Sequence, residues 1–380
     1  MKELGSYQLP DGRVLRRGYT TGTCAAAAAK AALWMLLHNQ LTREVRVNTP
    51  AGISLNLQVL DSRVSSRGAS CAVRKDAGDD PDITDGVLVY ARVEYTSEPG
   101  ISLEGGKGVG KVTRRGLSLP VGSSAINPAP REQIKSALEE LLPPDRGIKV
   151  VISIPQGEEL AKKTLNSTLG IQGGLSILGT SGIVEPMSRE SFKESLKLQI
   201  PLALEEGFSS LVFTPGRRGW RQAVETLGLP PTAVLQISNF VGYMLLTCIR
   251  YEVEEVLLCG NIGKLVKVAG GIFDTHSRTA DGRREIMAAY AALEGAPREI
   301  IRDIMDNVTA EGAADLLKAR GLQKVFNRLA EAASRRSQEY VKNQLKVGTI
   351  LLNFEGEILG MDHRAVEIGG KLGCPLTYPL

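Results

Sequence analysis

Residues 210–271 read SLVFTPGRRGWRQAVETLGLPPTAVLQISNFVGYMLLTCIRYEVEEVLLCGNIGKLVKVAGG, and the rhythm of this stretch decides the fold. Apolar runs at 210–214 and 256–259, with a shorter one at 233–237, alternate with helix-length segments at 218–227, 239–251 and 262–270. Such alternation argues for a parallel sheet with helices on both faces. Working back, the rhythm starts near Ile148, with strands at 149–154 and 175–178 and helices at 157–165 and 189–206. Pro143, Pro144 and Gly147 supply a hinge. The expectation is α+β followed by α/β: an N-terminal α+β domain over 1–146 and a C-terminal Rossmann-like α/β domain over 147–380, with a mainly parallel sheet.

In such sheets ligands bind beyond the carboxyl ends of the strands, where the topology reverses. Three expected strand ends carry suitable chemistry: Gly179-Thr180-Ser181-Gly182, Thr214-Pro215-Gly216-Arg217-Arg218-Gly219 and Gly260-Asn261-Ile262-Gly263-Lys264. Glycine lets backbone N–H groups approach a ligand, and a helix N-terminus favours an anion. Thr180 and Ser181 add hydroxyls, and Glu185 adds a carboxylate. None of the three matches GxGxxG, so the dinucleotide fingerprint is missing. A tight strand-to-helix connection that binds nothing is the competing reading of the first turn. If that turn holds a ligand, Gly182→Val abolishes binding and leaves the fold intact.

Outward toward the N-terminus, residues 18–37 read GYTTGTCAAAAAKAALWMLL. Thr21 or Thr23 caps the helix that follows. Alanines at 25–29, 31 and 32 make it slim enough to approach a sheet or a flat ligand closely. Thr20, Thr21 and Thr23 with free N–H groups form a candidate carboxylate site. Residues 44–60 alternate as a hairpin around 49–52. An acidic loop at 76–85 follows Arg74 and Lys75, then a strand at 87–95. Its spacing does not fit an EF-hand, because Asp85 stands where glycine is needed. Its carboxylates cap the loop or steer Arg74 and Lys75. The run GGKGVGKV from Gly105 has P-loop spacing, but Val112 replaces the Ser/Thr and no helix follows. A helix is expected at 128–142.

Toward the C-terminus, Asp274, Thr275, His276, Ser277 and Arg278 concentrate in one loop. His276 is the candidate for a chemical role, as proton acceptor or as hydrogen-bond donor. A surface loop with local side-chain-to-backbone bonds is the alternative. Asp281 is expected to cap a helix at 283–293. Residues 298–345 read as helical, and 347–354 with 357–360 as a closing hairpin.

The formal net charge of +4 with 5% aromatic residues argues against nucleic-acid binding. No run approaches the ~18 apolar residues of a membrane span, and MKELGSYQLPDGRVLRRGY has no signal-peptide core. The five cysteines form no CxxC pair, so no zinc site or disulfide framework is indicated. A cytoplasmic protein is expected; association into a homo-oligomer is left open.

The chain resembles the cobalt-precorrin-5B C1-methyltransferases, the CbiD family of anaerobic cobalamin biosynthesis. The segments that carry the resemblance are RRGYTTGTCAAAAAKAA, VRKDAGDDPDITDG, GKGVGKVTRRGL, SAINPAPR, LGIQGGLSILGTSGIVEPMS, FTPGRRG, SNFVGYML and GNIGKLVKVAGGIFDTHSRTADGRREI, in order along residues 15–290. Asn261 departs from the pattern, which leads one to expect histidine there. The resemblance implies S-adenosylmethionine as methyl donor and a ring-contracted tetrapyrrole as acceptor, with cobalt present only inside the substrate. The donor would meet Gly179, Thr180, Ser181, Gly182, Glu185, Gly260, Asn261 and Gly263. The acceptor's carboxylates would meet Thr20, Thr21, Thr23, Lys75, Arg217 and Arg278. Because a macrocycle carbon is the nucleophile, no activated side chain is required. A non-catalytic tetrapyrrole carrier is the competing function. A nicotinamide-dependent oxidoreductase is disfavoured by the missing fingerprint.

Overall fold

The structure is a computed structural model and describes residues 4–9, 12–307 and 309–378. By internal contacts the chain divides into two compact units, Met1–Arg189 and Glu190–Leu380.

The N-terminal unit is built on helix α1 (Thr21–His38), capped by the Thr20 hydroxyl and closed by Asn39 in the left-handed region (φ 50°). The alanines at 25–29, 31 and 32 are fully buried, so they serve close packing. Their missing bulk lets α1 lie tight on the sheet, where the Cys71 thiol reaches Ala28 O at 3.2 Å. Strands β1 (Glu44–Asn48) and β2 (Ser54–Gln58) form the expected antiparallel hairpin. Five further strands make the main sheet: β3 (Leu60–Val64), β4 (Gly68–Arg74), β5 (Leu88–Thr96), β6 (Gly100–Gly105) and β7 (Gly147–Ser153). Their order is β3-β4-β5-β7-β6. Helix α2 (Pro128–Glu139) packs on α1.

Two sequence expectations fail here. The strand expected to open the C-terminal sheet is β7, which instead pairs antiparallel with β5 and parallel with β6. Its register explains why. Ile148, Val150 and Ile152 are buried, whereas Lys149 points outward to Glu104 at 2.8 Å. That alternation belongs to a sheet with one covered face. The strand expected at 175–178 shrinks to Gly174–Leu175, paired with Gly108–Val109, plus a bridge from Ile177 to Ile126. The compact N-terminal unit therefore runs past the expected hinge to Arg189.

In the C-terminal unit, strands β8 (Ser210–Thr214), β9 (Val234–Gln236), β10 (Glu255–Asn261), β11 (Lys346–Leu352) and β12 (Ile358–Met361) form a sheet of order β9-β8-β10-β11-β12. All pairings are parallel except β11 with β12. The closing hairpin thus belongs to this sheet. Strand β8 is buried at every position, because helices cover both faces. Leu211 and Phe213 enter one cluster with Met244 and Leu265, and Val212 enters another with Ala223 and Ile368.

The helices are α3 (Arg217–Arg221), α4 (Val241–Arg250), α5 (Ile262–Ala269), α6 (Arg283–Leu293), α7 (Arg298–Asp306), α8 (Ala310–Ala319), α9 (Lys324–Tyr340) and α10 (His363–Lys371). The helical span expected at 298–345 is thus three helices, and α10 adds a further helix beyond the expected closing hairpin. The helix expected at 189–206 is split into Arg189–Lys197 and Gln199–Glu205. The N-cap of α6 is Gly282 rather than Asp281, whose carboxylate accepts the Arg283 N–H at 3.4 Å and holds the Arg283 side chain at 2.7 and 2.6 Å.

Candidate functional site

Strand order decides where a ligand fits in the C-terminal unit. From β8 the chain runs to β9 on one side, while β10 lies on the other. The carboxyl ends of β8 and β10 therefore flank the point where the topology reverses. A cavity of about 510 Å³ opens there, lined by residues of the Pro215–Gly219 turn, the α5 N-terminus and α8. Its size falls within the roughly 300–1,000 Å³ of small-ligand clefts.

Local sequence shapes this cavity. Gly216 has φ 121° and ψ 179°, a backbone conformation essentially restricted to glycine. A Cβ on Gly260 would stand 2.7 Å from Pro215 Cδ, so Gly260 lets the two turns close on each other. Asn261 caps α5, its Oδ1 accepting the Gly263 N–H at 2.8 Å, and its Nδ2 donates to Glu311. Burial raises the pKa of Glu311, and the Asn261 bond opposes that rise. Lys264 donates to Asn239 Oδ1 at 2.6 Å. Burial, with Lys267 and Arg283 nearby, lowers its pKa. The Arg218 guanidinium lies 4.9 Å from the Phe354 ring centre. Gln222 donates to Asn353 O and Phe354 O at 3.3 and 2.9 Å. These two carbonyls fix the amide orientation, and the buried Oε1 is left with no partner.

The structure brings Asn261, Gly263 and Arg217 together in this cavity, with Gly260 behind them. The His276 loop is tied to its edge. Thr275 N donates to Asn239 O at 3.0 Å, and the buried Lys267 ammonium donates to Thr275 O and Ala280 O at 3.3 and 2.8 Å. His276 Nδ1 accepts the Arg278 N–H at 3.1 Å, so the neutral ring carries its proton on Nε2 and presents a donor outward. Arg278 is exposed. Sequence reasoning missed Gln222, Thr309, Glu311 and Phe354. Only the capping pattern Thr309-Ala-Glu311 marked any of them, and nothing local connects residue 311 to residue 261.

The remaining candidates lie in the N-terminal unit and do different work. Residues 179–182 do not end a strand of the parallel sheet; they clasp the start of α1. Thr21 Oγ1 accepts from Leu178 N at 3.0 Å, Thr23 Oγ1 donates to Gly182 O at 2.8 Å, and Thr20 N donates to the same carbonyl at 3.1 Å. Thr20, Thr21 and Thr23 are at most 5% exposed. Their hydroxyls and the N–H groups of Gly22, Thr23 and Cys24 are engaged inside the protein, which leaves no open carboxylate site. Ser181 bonds Ile183, Thr180 is exposed, and Glu185 pairs with Arg17 at 3.0 Å.

Lys75, 2% exposed, pairs with Asp82 at 2.7 Å. Burial works against ionised Asp82, but the Lys75 charge and bonds from Lys75 and Thr84 outweigh it and lower its pKa. A depressed carboxylate pKa stabilises the fold above the usual value near 4 and loses that effect as pH falls below it. Asp82→Asn is therefore expected to cost about 1–2 kcal/mol or more at pH 7, since it leaves the buried Lys75 ammonium without its carboxylate, and progressively less as pH falls from about 4 through the lowered folded pKa. Melting curves at the two pH values check this.

No helix among the described residues is long and apolar enough to cross a membrane. No group of three or more His, Cys, Asp or Glu among the described residues is arranged to hold a metal.

The sequence matches the CbiD family over residues 8–186 and the CbiD C-terminal domain over residues 274–363. It is 50% identical over 360 residues to a cobalt-precorrin-5B C(1)-methyltransferase of Moorella thermoacetica, covering 94% of this chain and 98% of that one. It is 47% identical over 353 residues to the protein of the same name from Alkaliphilus metalliredigens, covering 93% and 94%. A crystal structure of the cobalamin biosynthesis protein CbiD from Archaeoglobus fulgidus aligns at 31% identity and a TM-score of 0.38, covering 70% of this chain and 83% of that one.

Proposed function

This chain belongs to the CbiD family, and from that premise we propose that it methylates C-1 of cobalt-precorrin-5B with S-adenosylmethionine, giving cobalt-precorrin-6A in anaerobic cobalamin biosynthesis. The supporting observation is 50% identity over 94% of the chain to a methyltransferase of that name. The C-terminal cavity suits the donor. Its glycines allow close backbone approach, and Glu311 can accept from ribose hydroxyls. Arg217 and Lys264 can receive the methionine carboxylate. When bound there, S-adenosylmethionine supplies an electrophilic methyl group on a sulfonium.

The residues themselves have a limited task. Displacement at a methyl group needs in-line alignment and a site from which water is excluded. Turn and helix backbone around Gly216 and Gly263 fix one reactant, and the cationic side chains orient carboxylates. His276, with Nδ1 engaged, acts as an Nε2 hydrogen-bond donor to substrate rather than as a base. His276→Gln keeps a donor, so its single-turnover rate should stay within about threefold of the parent while acceptor KM rises. A loss of roughly 10²-fold in that rate would instead identify a general base.

The experiment that tests the function is mass spectrometry of product made with methyl-labelled S-adenosylmethionine. One labelled methyl at C-1 is expected. Tight tetrapyrrole binding with no label transferred would overturn it in favour of a carrier.

A further inference from the structure

We propose that the N-terminal unit holds a binding site for a polycarboxylate macrocycle, in the cavity between the β1/β2 hairpin, mainly along β2, and the loop after β4. The macrocycle's identity as methyl acceptor rests on the function proposed above; its binding does not.

The cavity measures about 1190 Å³, beyond the roughly 300–1,000 Å³ of ordinary small-ligand clefts. A nucleoside would leave much of it unfilled. Strand alternation sets its chemistry. Val45 and Val47 turn into the core, and Leu55 and Leu57, packed in the same core, also reach the cavity wall. Arg46, opposite Asn56 in register, lies on the other face of the hairpin and lines the cavity. Arg74, at the end of β4, lines it too, and half-buried Tyr19 and Leu60 add apolar surface for a ring.

Asp76 is engaged by Arg16 at 2.8 Å, Asp85 accepts the Ala77 N–H at 2.8 Å, and Lys75 is held by Asp82. Among the described residues, the Arg46 and Arg74 guanidiniums reach only Ser54 Oγ and Gly86 O, each at 3.5 Å. Asp85 keeps its charge, because a backbone N–H does not neutralise a carboxylate, so the Arg46 and Arg74 guanidiniums outnumber the one lining carboxylate that no cation pairs among the described residues. Guanidiniums are the groups that best receive carboxylates in pairs. An apolar ring rimmed with carboxylates matches both the surface and the charge.

The test uses the full chain and two porphyrin probes, uroporphyrin III (an octacarboxylate) and protoporphyrin IX (a dicarboxylate), followed by fluorescence titration. Uroporphyrin should bind more tightly, and added salt should weaken it more. Replacing Arg46→Ala and Arg74→Ala together should weaken uroporphyrin roughly 10–100-fold. The melting temperature and the heat of S-adenosylhomocysteine binding should not change. No uroporphyrin binding by the parent, or unchanged binding by the double variant, overturns the site. So does a loss caused instead by Arg217→Ala with Arg218→Ala. If the Arg46/Arg74 effect is seen but the parent transfers no labelled methyl group, the macrocycle site stands and the enzymatic reading fails.

Discussion

Gly182→Val is expected to destabilise the N-terminal unit rather than to remove a ligand. Gly182 has φ 78°, and a Cβ there would meet Thr23 Oγ1 at 2.8 Å and Pro50 Cδ and Thr49 Cβ at 2.9 Å. A left-handed backbone costs an L-residue about 1–2 kcal/mol, and overpacking a tight contact adds about 1–3 kcal/mol. Valine, branched at Cβ, suffers both. The carbonyl of Gly182 also accepts from Thr20 N and Thr23 Oγ1, so any backbone shift disturbs the start of α1. Together these costs lower the melting temperature by about 4–20 °C for a unit of this size. Gly173→Ala is the control. Gly173 also has a positive φ, 77°, but open space around it, so strain alone should cost about 1 kcal/mol. Thermal melts of both proteins check the contrast. A Gly182→Val protein that melts with the parent and fails only to bind S-adenosylhomocysteine would restore residues 179–182 as a donor site.

The second large effect is expected from Asn261→Leu. Loss of the cap on α5 costs about 1 kcal/mol. Loss of the Asn261 bond leaves the partly buried Glu311 carboxylate without that donor, worth about another 1–3 kcal/mol. The sign with pH follows from the raised pKa of Glu311. A carboxyl group that holds its proton more tightly when folded makes the fold less stable as pH rises through the gap between its ordinary and folded values. Removing Asn261 widens that gap, so the loss of stability should be larger at pH 7–8 than near pH 4.5. Because Glu311 is the proposed ribose acceptor, S-adenosylhomocysteine affinity should also fall about 10–100-fold. Asn261→His returns a ring nitrogen that can accept from Gly263 N–H, and should recover most of the stability. Melting curves at both pH values and calorimetry decide the matter. A pH-independent loss with unchanged affinity would separate Asn261 from any ligand.

Local pattern carried far in this chain. The alternation across residues 210–271 contained β8, α4, β10 and α5 with ends displaced by a few residues. It also placed the two turns, at Pro215–Gly219 and Asn261–Lys264, that tertiary structure brings to one cavity. Their legibility has a physical cause. A strand buried on both faces must be apolar at every position, and a turn that approaches another backbone must be glycine. The family, too, was readable in ordered short segments, because each reflects a constraint on one stretch of chain.

What the sequence could not determine were the partners of those segments. Nothing local in KVVIS distinguishes a strand opening a parallel sheet from one set between β5 and β6; only pairing decides. Nor does GTSG reveal whether its N–H groups face a ligand or the start of α1. Glycine at positive φ serves both purposes, and the hydroxyls of Thr20, Thr21 and Thr23 are equally able to bind a carboxylate or a carbonyl. Tertiary structure decided by bringing Leu178 and Gly182 within hydrogen-bond reach, which left those hydroxyls buried and spent. The same holds for Glu311, fifty residues beyond the asparagine that holds it. Sequence by itself determined which segments fold and which turns must be tight. Only three-dimensional packing determined which polar groups are consumed by the protein, and so which remain for a ligand.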